Sequence, residues 1–374
     1  MLAREDRPLT HEQVCRQWRQ CIESDSAASL YLDPEVALLP SMVSDPLIYT
    51  SQARKAGEAA GFSSLAVLAE RIEEYRILHL GRIRLHGRRV VESQLAGDQS
   101  EASLNAFVSA LGDLLASGQA EFVIFQDLQD DSPLRRVLLT RRFGRGAVVF
   151  QPHRPQPHWW IRFPRPAEDY WRKFSKKSRY NFRWRARKFP HTVACITRKE
   201  QIPDFLEKAR SLCRQTWQLR RLGLGICGGC DEERFWEFMV SRGAMRCYLL
   251  EDHGRPIAFA TGFQHNGCFT YDKTGYDPAM SAFSPGQVLL THILEDLIAR
   301  DTPQLVDFGF GHGDYKEIFG NFRTMSGPVV LSRRHWRPML ALGFESYSHA
   351  VARGVRSLLQ KLHLLSLVRH IYRR

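Results

Sequence analysis

The sequence contains no apolar run of about 18 residues, the length a membrane-crossing helix requires, so anchoring by a spanning helix is not expected. It opens Met1-Leu2-Ala3-Arg4-Glu5-Asp6, charged where a secretory leader would be apolar. Only 8 cysteines are scattered through 374 residues, too dispersed for a disulfide framework. Reduced thiols and a cytoplasmic protein follow, with peripheral contact at the inner membrane as a secondary reading. One cysteine pair, Cys227-Gly228-Gly229-Cys230, has metal-ligand spacing, but no second pair accompanies it and no metal is expected. Acid is missing from two stretches: none lies between Trp171 and Phe189, and none from Ser346 onward.

What is present bounds the class. Hydrophobic residues make up 44% and aromatics 11%, enough for packed interiors and incompatible with a disordered chain. The length suits two domains rather than one core. A net charge of +13 favours anionic partners: nucleotide phosphates, lipid head groups or nucleic acid.

The second half is the easier to read. Asp231 to Arg242 has helical spacing at Phe235, Phe238 and Met239. Met245 to Glu251, Pro256 to His265 and Cys268 to Tyr276 read as three antiparallel strands, the last two joined by the hairpin dipeptide Asn266-Gly267. Ser284-Pro285-Gly286-Gln287 has the form of a capping box with proline at the first helical position. Leu289, Leu290, Ile293, Leu294, Leu297 and Ile298 then form one apolar stripe. Gln304 to Phe308 is a strand, followed by a loop-rich return to a last strand at Pro328 to Arg333. The first half repeats this order more loosely. Tyr75 to Leu85 and Arg88 to Ala96 read as a hairpin closed at His86-Gly87, Ser103 to Ala116 as a helix, and Glu121 to Gln126 as a strand. Ala147 to Gln151 and Trp159 to Phe163 are later strands, and the proline-rich stretch 152–166 is the expected boundary. The predicted fold class is α/β (α+β): two tandem domains, 1–163 and 164–340, each a mixed, mostly antiparallel sheet flanked by helices, then a basic helical tail, 341–374.

Four segments can carry chemistry. The helix start at Ser284 offers unpaired N–H groups and the positive end of a dipole to a pyrophosphate, with Gly286 and its neighbours as donors. The turn Gly309-Phe310-Gly311-His312-Gly313 is flanked by Asp307, Asp314, Tyr315 and Lys316, groups able to serve as base, acid or anion contact. Its spacing is not a dinucleotide fingerprint. The acid-free helical stretch from Trp171 to Phe189 sets Lys177, Arg179 and Arg183 among the interleaved aromatics Tyr180 and Trp184. It suits RNA phosphates and bases, or a phosphorylated or lipid-linked substrate. In the tail, Val351, Val355, Leu358, Leu359, Leu362, Leu365 and Val368 alternate with arginine and lysine; docking on the domain is the default and an anionic membrane surface the alternative.

The order of these features over residues 165 to 330 resembles the GNAT superfamily, within it the acetyltransferase domain of CelD-like and FemAB-like proteins. The residues that carry the resemblance are Lys176 to Arg183, Thr216-Trp217, Gly254 to Ala258, Tyr271 to Asp277, Ser284 to Gly286, Asp307-Phe308 and Tyr315-Lys316. The resemblance implies acyl transfer from acetyl-CoA or another acyl-CoA to an acceptor on a sugar, polysaccharide or cell-envelope precursor, without a metal. It implies a splayed strand pair for the donor arm and a diphosphate at Ser284, Gly286, Gln287 and Val288. Tyr315 would be the acid, Asp272 or Asp307 the base, and Lys177, Arg179, Arg183, Trp217, Asp314 and Lys316 acceptor contacts. Ser-Pro-Gly-Gln replaces the usual glycine-spaced phosphate loop, which keeps two alternatives open. FemAB-like relatives use aminoacyl-tRNA, and a non-catalytic module docking at the membrane during polysaccharide biosynthesis would need no donor.

Overall fold

The computed structural model describes residues 11–25, 28–40, 43–53, 61–77, 81–144, 146–214, 226 and 230–361. They divide into two compact units. One is built from the chain up to Leu38, from Val43 to Pro155 and from Ser326 onward; the other runs from Gln156 to Met325, with a short piece beginning at Leu39. The first crossing falls inside the proline-rich stretch, ahead of the expected 163/164 boundary. The second, at Met325/Ser326, returns the chain to the first unit, where a separate tail from 341 was expected.

The first unit carries strands β1 (Leu47–Ala53), β2 (Gly61–Arg76), β3 (Arg82–Val90), β4 (Ala96–Gly97), β5 (Phe122–Gln129) and β6 (Ala147–Phe150). Its helices include α1 (His11–Glu23), α2 (Glu101–Ala116) and α3 (Pro133–Thr140). Leu104, Phe107, Leu111 and Leu115 of α2 pack on Val123 and Phe125 of β5 in one buried apolar cluster. The expected turn at His86-Gly87 is instead mid-strand, for β2 runs on to Arg76 and pairs Ile72 with His86 and Arg71 with Gly87. Glycine is needed there for approach, not for turning: a Cβ at Gly87 would lie 2.5 Å from Phe122.

The second unit contains β7 (Gln156–Arg162), α4 (Lys176–Arg187), β8 (Thr192–Ile196), α5 (Ile202–Cys213) and α6 (Cys230–Ser241). The meander β9 (Cys247–Asp252), β10 (Arg255–His265) and β11 (Cys268–Tyr276) follows, then α7 (Pro285–Arg300), β12 (Leu305–Phe310) and α8 (Asp314–Phe319). Its strand order is β7-β12-β11-β10-β9-β8. Asn266 and Gly267 take φ 46° and 73°, the left-handed pair a type I′ turn requires. Leu289, Leu290, Ile293, Leu294 and Leu297 bury the α7 stripe against Phe269, Tyr271, Val306 and Phe308. The loop-rich return contains a helix, α8, where a loop was expected. The basic stretch is not one helix from Trp171: a 3-10 turn ends at Lys173, and Ser175, whose Oγ accepts from Ser178 N–H, starts α4 afresh.

The last strand, β13 (Phe322–Arg333), starts earlier than Pro328, which sits where the register with β5 shifts between Gly327 and Val329. The last helix, α9 (Trp336–Lys361), buries Ala341 and Leu342 in the first unit's core with Leu85, Phe122 and Val330. The tail residues Leu362, Leu365 and Val368 lie outside the described residues, as do the side chains of Val351, Val355, Leu358 and Leu359. Among the described residues no helix is long and apolar enough to cross a membrane.

The two units repeat one arrangement. In each, a hairpin leads to a helix and then to a strand parallel to the hairpin's second strand. The parallel ladders are β3 with β5 (Gly87↔Phe122 to Arg89↔Ile124) and β11 with β12 (Cys268↔Leu305 to Thr270↔Asp307).

Candidate active site

The site begins where β11 and β12 part. Their ladder stops at Thr270 and Asp307, yet β11 continues to Tyr276 and β12 to Phe310. Two parallel strands that stop pairing leave backbone N–H and C=O groups facing a wedge, ready for an extended ligand. Tyr271, Phe308 and Tyr315 interlock on one side of it, with ring centroids 5.7 to 5.9 Å apart. Burial raises the Tyr315 phenol well above its ordinary value, and pushes Tyr271 up to about 12. Both keep their protons at neutral pH.

Asp272 and Asp307 alternate with Tyr271 and Phe308 along their strands, which sends the carboxylates to the opposite face of the sheet from α7. Asp272 is exposed but closely flanked by protein, which raises its pKa; Thr261 Oγ1 donates to it at 3.2 Å. Asp307 Oδ1 accepts from Gly309 N–H at 2.6 Å and bonds His158 Nε2 at 2.5 Å. His158 was not singled out by the sequence. It lies on β7, whose register places Trp160 opposite Asp307 and His158 opposite Phe310.

The start of α7 differs from the expectation. Ser284 ends the preceding 3-10 turn by donating its N–H to Ser281, and in doing so takes φ 54°, ψ 51°. An N-cap needs extended backbone, so its hydroxyl makes no cap and the capping box does not close. Gln287 Oε1 is left buried without a partner. Gln287 and Val288 N–H both donate to Ser284 O, at 3.0 and 3.1 Å, and Pro285 has no N–H. Of the predicted cradle of Ser284, Gly286, Gln287 and Val288, Gly286 supplies the uncommitted N–H.

The predicted acceptor contacts are dispersed. Lys316 Nζ donates to Gly309 O and Phe310 O, at 3.2 and 3.0 Å, tying down the glycine turn, and burial lowers its pKa. Asp314 is exposed in the first turn of α8, where an acid suits the helix dipole. Trp217 and Cys227 lie outside the described residues. Arg179 and Arg183 line a shallow groove of about 400 Å³ on α4 with Lys176, Tyr180, Trp184 and Arg187, while Lys177 is exposed outside it. Tyr180 is 64% and Trp184 45% exposed, and no acid lies in this helix to balance its cations. Two lysines open α4 against its own dipole, an arrangement that an anion would relieve. No metal-ligating cluster occurs among the described residues.

In the first unit the corresponding opening is closed. Ser93, at φ 51°, places its Oγ to accept from Gln126 and Asp127 N–H at 2.8 and 3.3 Å, so the chain itself occupies the edge of β5 beyond its ladder with β3.

Residues 176–317 match the family model described as an acetyltransferase (GNAT) domain. The whole chain is similar to the crystal structure of FemX, at 12% identity over 91% of this chain and 99% of that one, with a TM-score of 0.56. It is similar as well to the C-terminal domain of a protein named as a lysylphosphatidylglycerol synthetase from Agrobacterium fabrum, at 14% identity over 91% and 97%, with a TM-score of 0.53. No curated protein sequence matches.

Proposed function

We propose that this chain, which carries a GNAT-type domain over residues 176–317 and has the fold of FemX, is an acyltransferase. It moves an activated acyl group onto an amine or hydroxyl of a sugar, polysaccharide or cell-envelope precursor. The observation that carries the reading is the wedge between β11 and β12 with the proton-retaining Tyr315 at its side. An extended donor arm adds to the unpaired edge of β11 and to the groups of β12 that Asp307 and Lys316 leave uncommitted, and Tyr315 protonates the leaving atom as the tetrahedral intermediate collapses. Asp272 and Asp307 stand on the face from which an acceptor approaches. Arg179, Arg183 and Lys177 of α4, which packs with α7 on the other face, attract phosphates of an incoming substrate there. The first unit, its own opening filled by Ser93, binds no donor.

Acyl-CoA is the donor expected of a GNAT domain. A second reading is favoured by the start of α7, where a single uncommitted N–H is a poor cradle for a diphosphate. An aminoacyl ester of tRNA brings no diphosphate to that position, and exposed Tyr180 and Trp184 among arginines suit its single-stranded end. An envelope acceptor accords with the name of the lysylphosphatidylglycerol synthetase, and peripheral contact at the inner membrane would bring the chain to such an acceptor.

Isothermal titration with acetyl-CoA, desulfo-CoA and tRNA separates the two. Micromolar binding of either CoA species, lost in Gly286→Leu, supports the thioester donor. Binding of tRNA alone, weakening steeply with salt, supports the ester donor. Silence from all three removes the acyltransferase reading and leaves a non-catalytic module.

A further inference from the structure

His158 combines three features that a core histidine has no need of together. Its side chain is 7% exposed, its Nε2 lies 2.5 Å from Asp307 Oδ1, and its Nδ1 is buried with no hydrogen-bond partner. The ring is fixed by stacking on Trp160, with centroids 4.3 Å apart and planes 6° from parallel. A carboxylate oxygen only accepts, and this one already takes the Gly309 N–H. The imidazole nitrogen facing it therefore carries the hydrogen. The other ring nitrogen, Nδ1, is held in place with nothing bonded to it.

Position adds to the argument. His158 pairs in register with Phe310 on the edge of β12 that faces away from β11, beyond the last β11–β12 pair at Asp307, so its link to the wedge runs through Asp307. The Gly311 N–H donates to Pro157 O, which pins the glycine turn beside it.

We propose that His158 is the proton acceptor of the acyl-transfer step and that Asp307 is its orienting partner rather than the base itself. The inference rests on the acyltransferase reading. His158 Nδ1 takes the proton from the acceptor N–H or O–H as the acceptor's electron pair forms the bond to the donor carbonyl carbon. The C–S or C–O bond to the leaving group then breaks, and the Tyr315 hydroxyl gives its proton to the leaving sulfur or oxygen. Solvent returns a proton to Tyr315 and removes one from His158, so no redox partner or further reactant is required.

The test has two arms on the full-length protein. In the first, ¹⁵N-histidine NMR reads the tautomer of His158, assigned by loss of its signals in His158→Gln. The expected spectrum shows Nε2 protonated and Nδ1 bare, with the preference lost in Asp307→Asn; a protonated Nδ1 overturns the proposal. In the second, release of thiol from acetyl-CoA and deacylation of charged tRNA are followed against pH, with water as acceptor. The wild type should show a limb that rises through the His158 pKa measured by NMR. His158→Gln, whose amide can still donate to Asp307, should lose that limb and about 100-fold in kcat. A variant that keeps the limb overturns the role. A wild type that consumes neither donor overturns it together with the acyltransferase reading, and the NMR arm distinguishes that failure from a wrong tautomer.

Discussion

Tyr271 and Tyr315 meet with ring centroids 5.9 Å apart, one on the strand that leaves the ladder and the other on the helix that follows its former partner. The contact joins the two sides of the wedge and half-buries the Tyr315 ring. Tyr315→Phe preserves this packing and removes the proton. It should lower kcat about 100-fold with KM and Tm little changed. A fall in Tm with unchanged kcat would make Tyr315 a packing residue.

Gly87 and Gly286 make opposite predictions for the same substitution. Gly87→Ala drives a methyl to 2.5 Å from Phe122 and should destabilise the first unit by about 3 kcal/mol in urea unfolding. At Gly286 the new Cβ meets Tyr276 at 3.6 Å, an ordinary contact, and alanine is the better helix former. Gly286→Ala should therefore gain about 0.5 kcal/mol.

Lys173 anchors α8. Its Nζ donates to Ile318, Phe319 and Gly320 carbonyls at 3.0, 2.8 and 2.6 Å, capping the helix that presents Tyr315. The residue is largely exposed, so Lys173→Met should cost only about 1 kcal/mol globally. Its larger effect is local: amide exchange over Asp314–Phe319 should quicken, and activity should fall with it.

His191 and His292 give the second unit an acid-sensitive seam. Their Nε2 atoms lie 3.1 Å apart, and burial and then His191 hold His292 below the ordinary histidine value. The folded chain then binds fewer protons at this site than the unfolded chain. The stabilisation is full above about pH 6.5 and is lost as pH falls through the lower folded value. Glu295, raised by burial against the pull of Arg183, contributes in the opposite sense. Between pH 7 and 5.5 the wild-type Tm should fall more than that of His292→Gln. Equal slopes would clear the pair of this role.

The meander of the second unit and the helix after it were legible because Asn266-Gly267 allows one kind of turn and the α7 stripe one buried face, whereas β8 and the pairing of β7 with β12 left no local signal. The same reasoning misread His86-Gly87, where glycine answers to the ring of Phe122 in a distant strand. Ser284 has the letters of a capping box, but closing the previous turn sets its φ, and sequence spacing carries no record of that competition. His158 was invisible for a related reason. Its partner is 149 residues away, on a strand brought alongside by the sheet, and a lone histidine between proline and tryptophan has no spacing to betray it.

Hydrogen exchange at the wedge tests the central claim most directly. The amides of Tyr271 to Tyr276 and of Phe308 and Phe310 that face one another have no ladder between them, while Gly309 N–H is held by Asp307. Saturating acetyl-CoA or charged tRNA should slow their exchange at least tenfold while the β8–β9 ladder remains unaffected, as a donor arm bonded to both strand edges requires. Unchanged exchange at these amides, with either donor bound elsewhere or not at all, would contradict the assignment of the wedge as the site of acyl transfer.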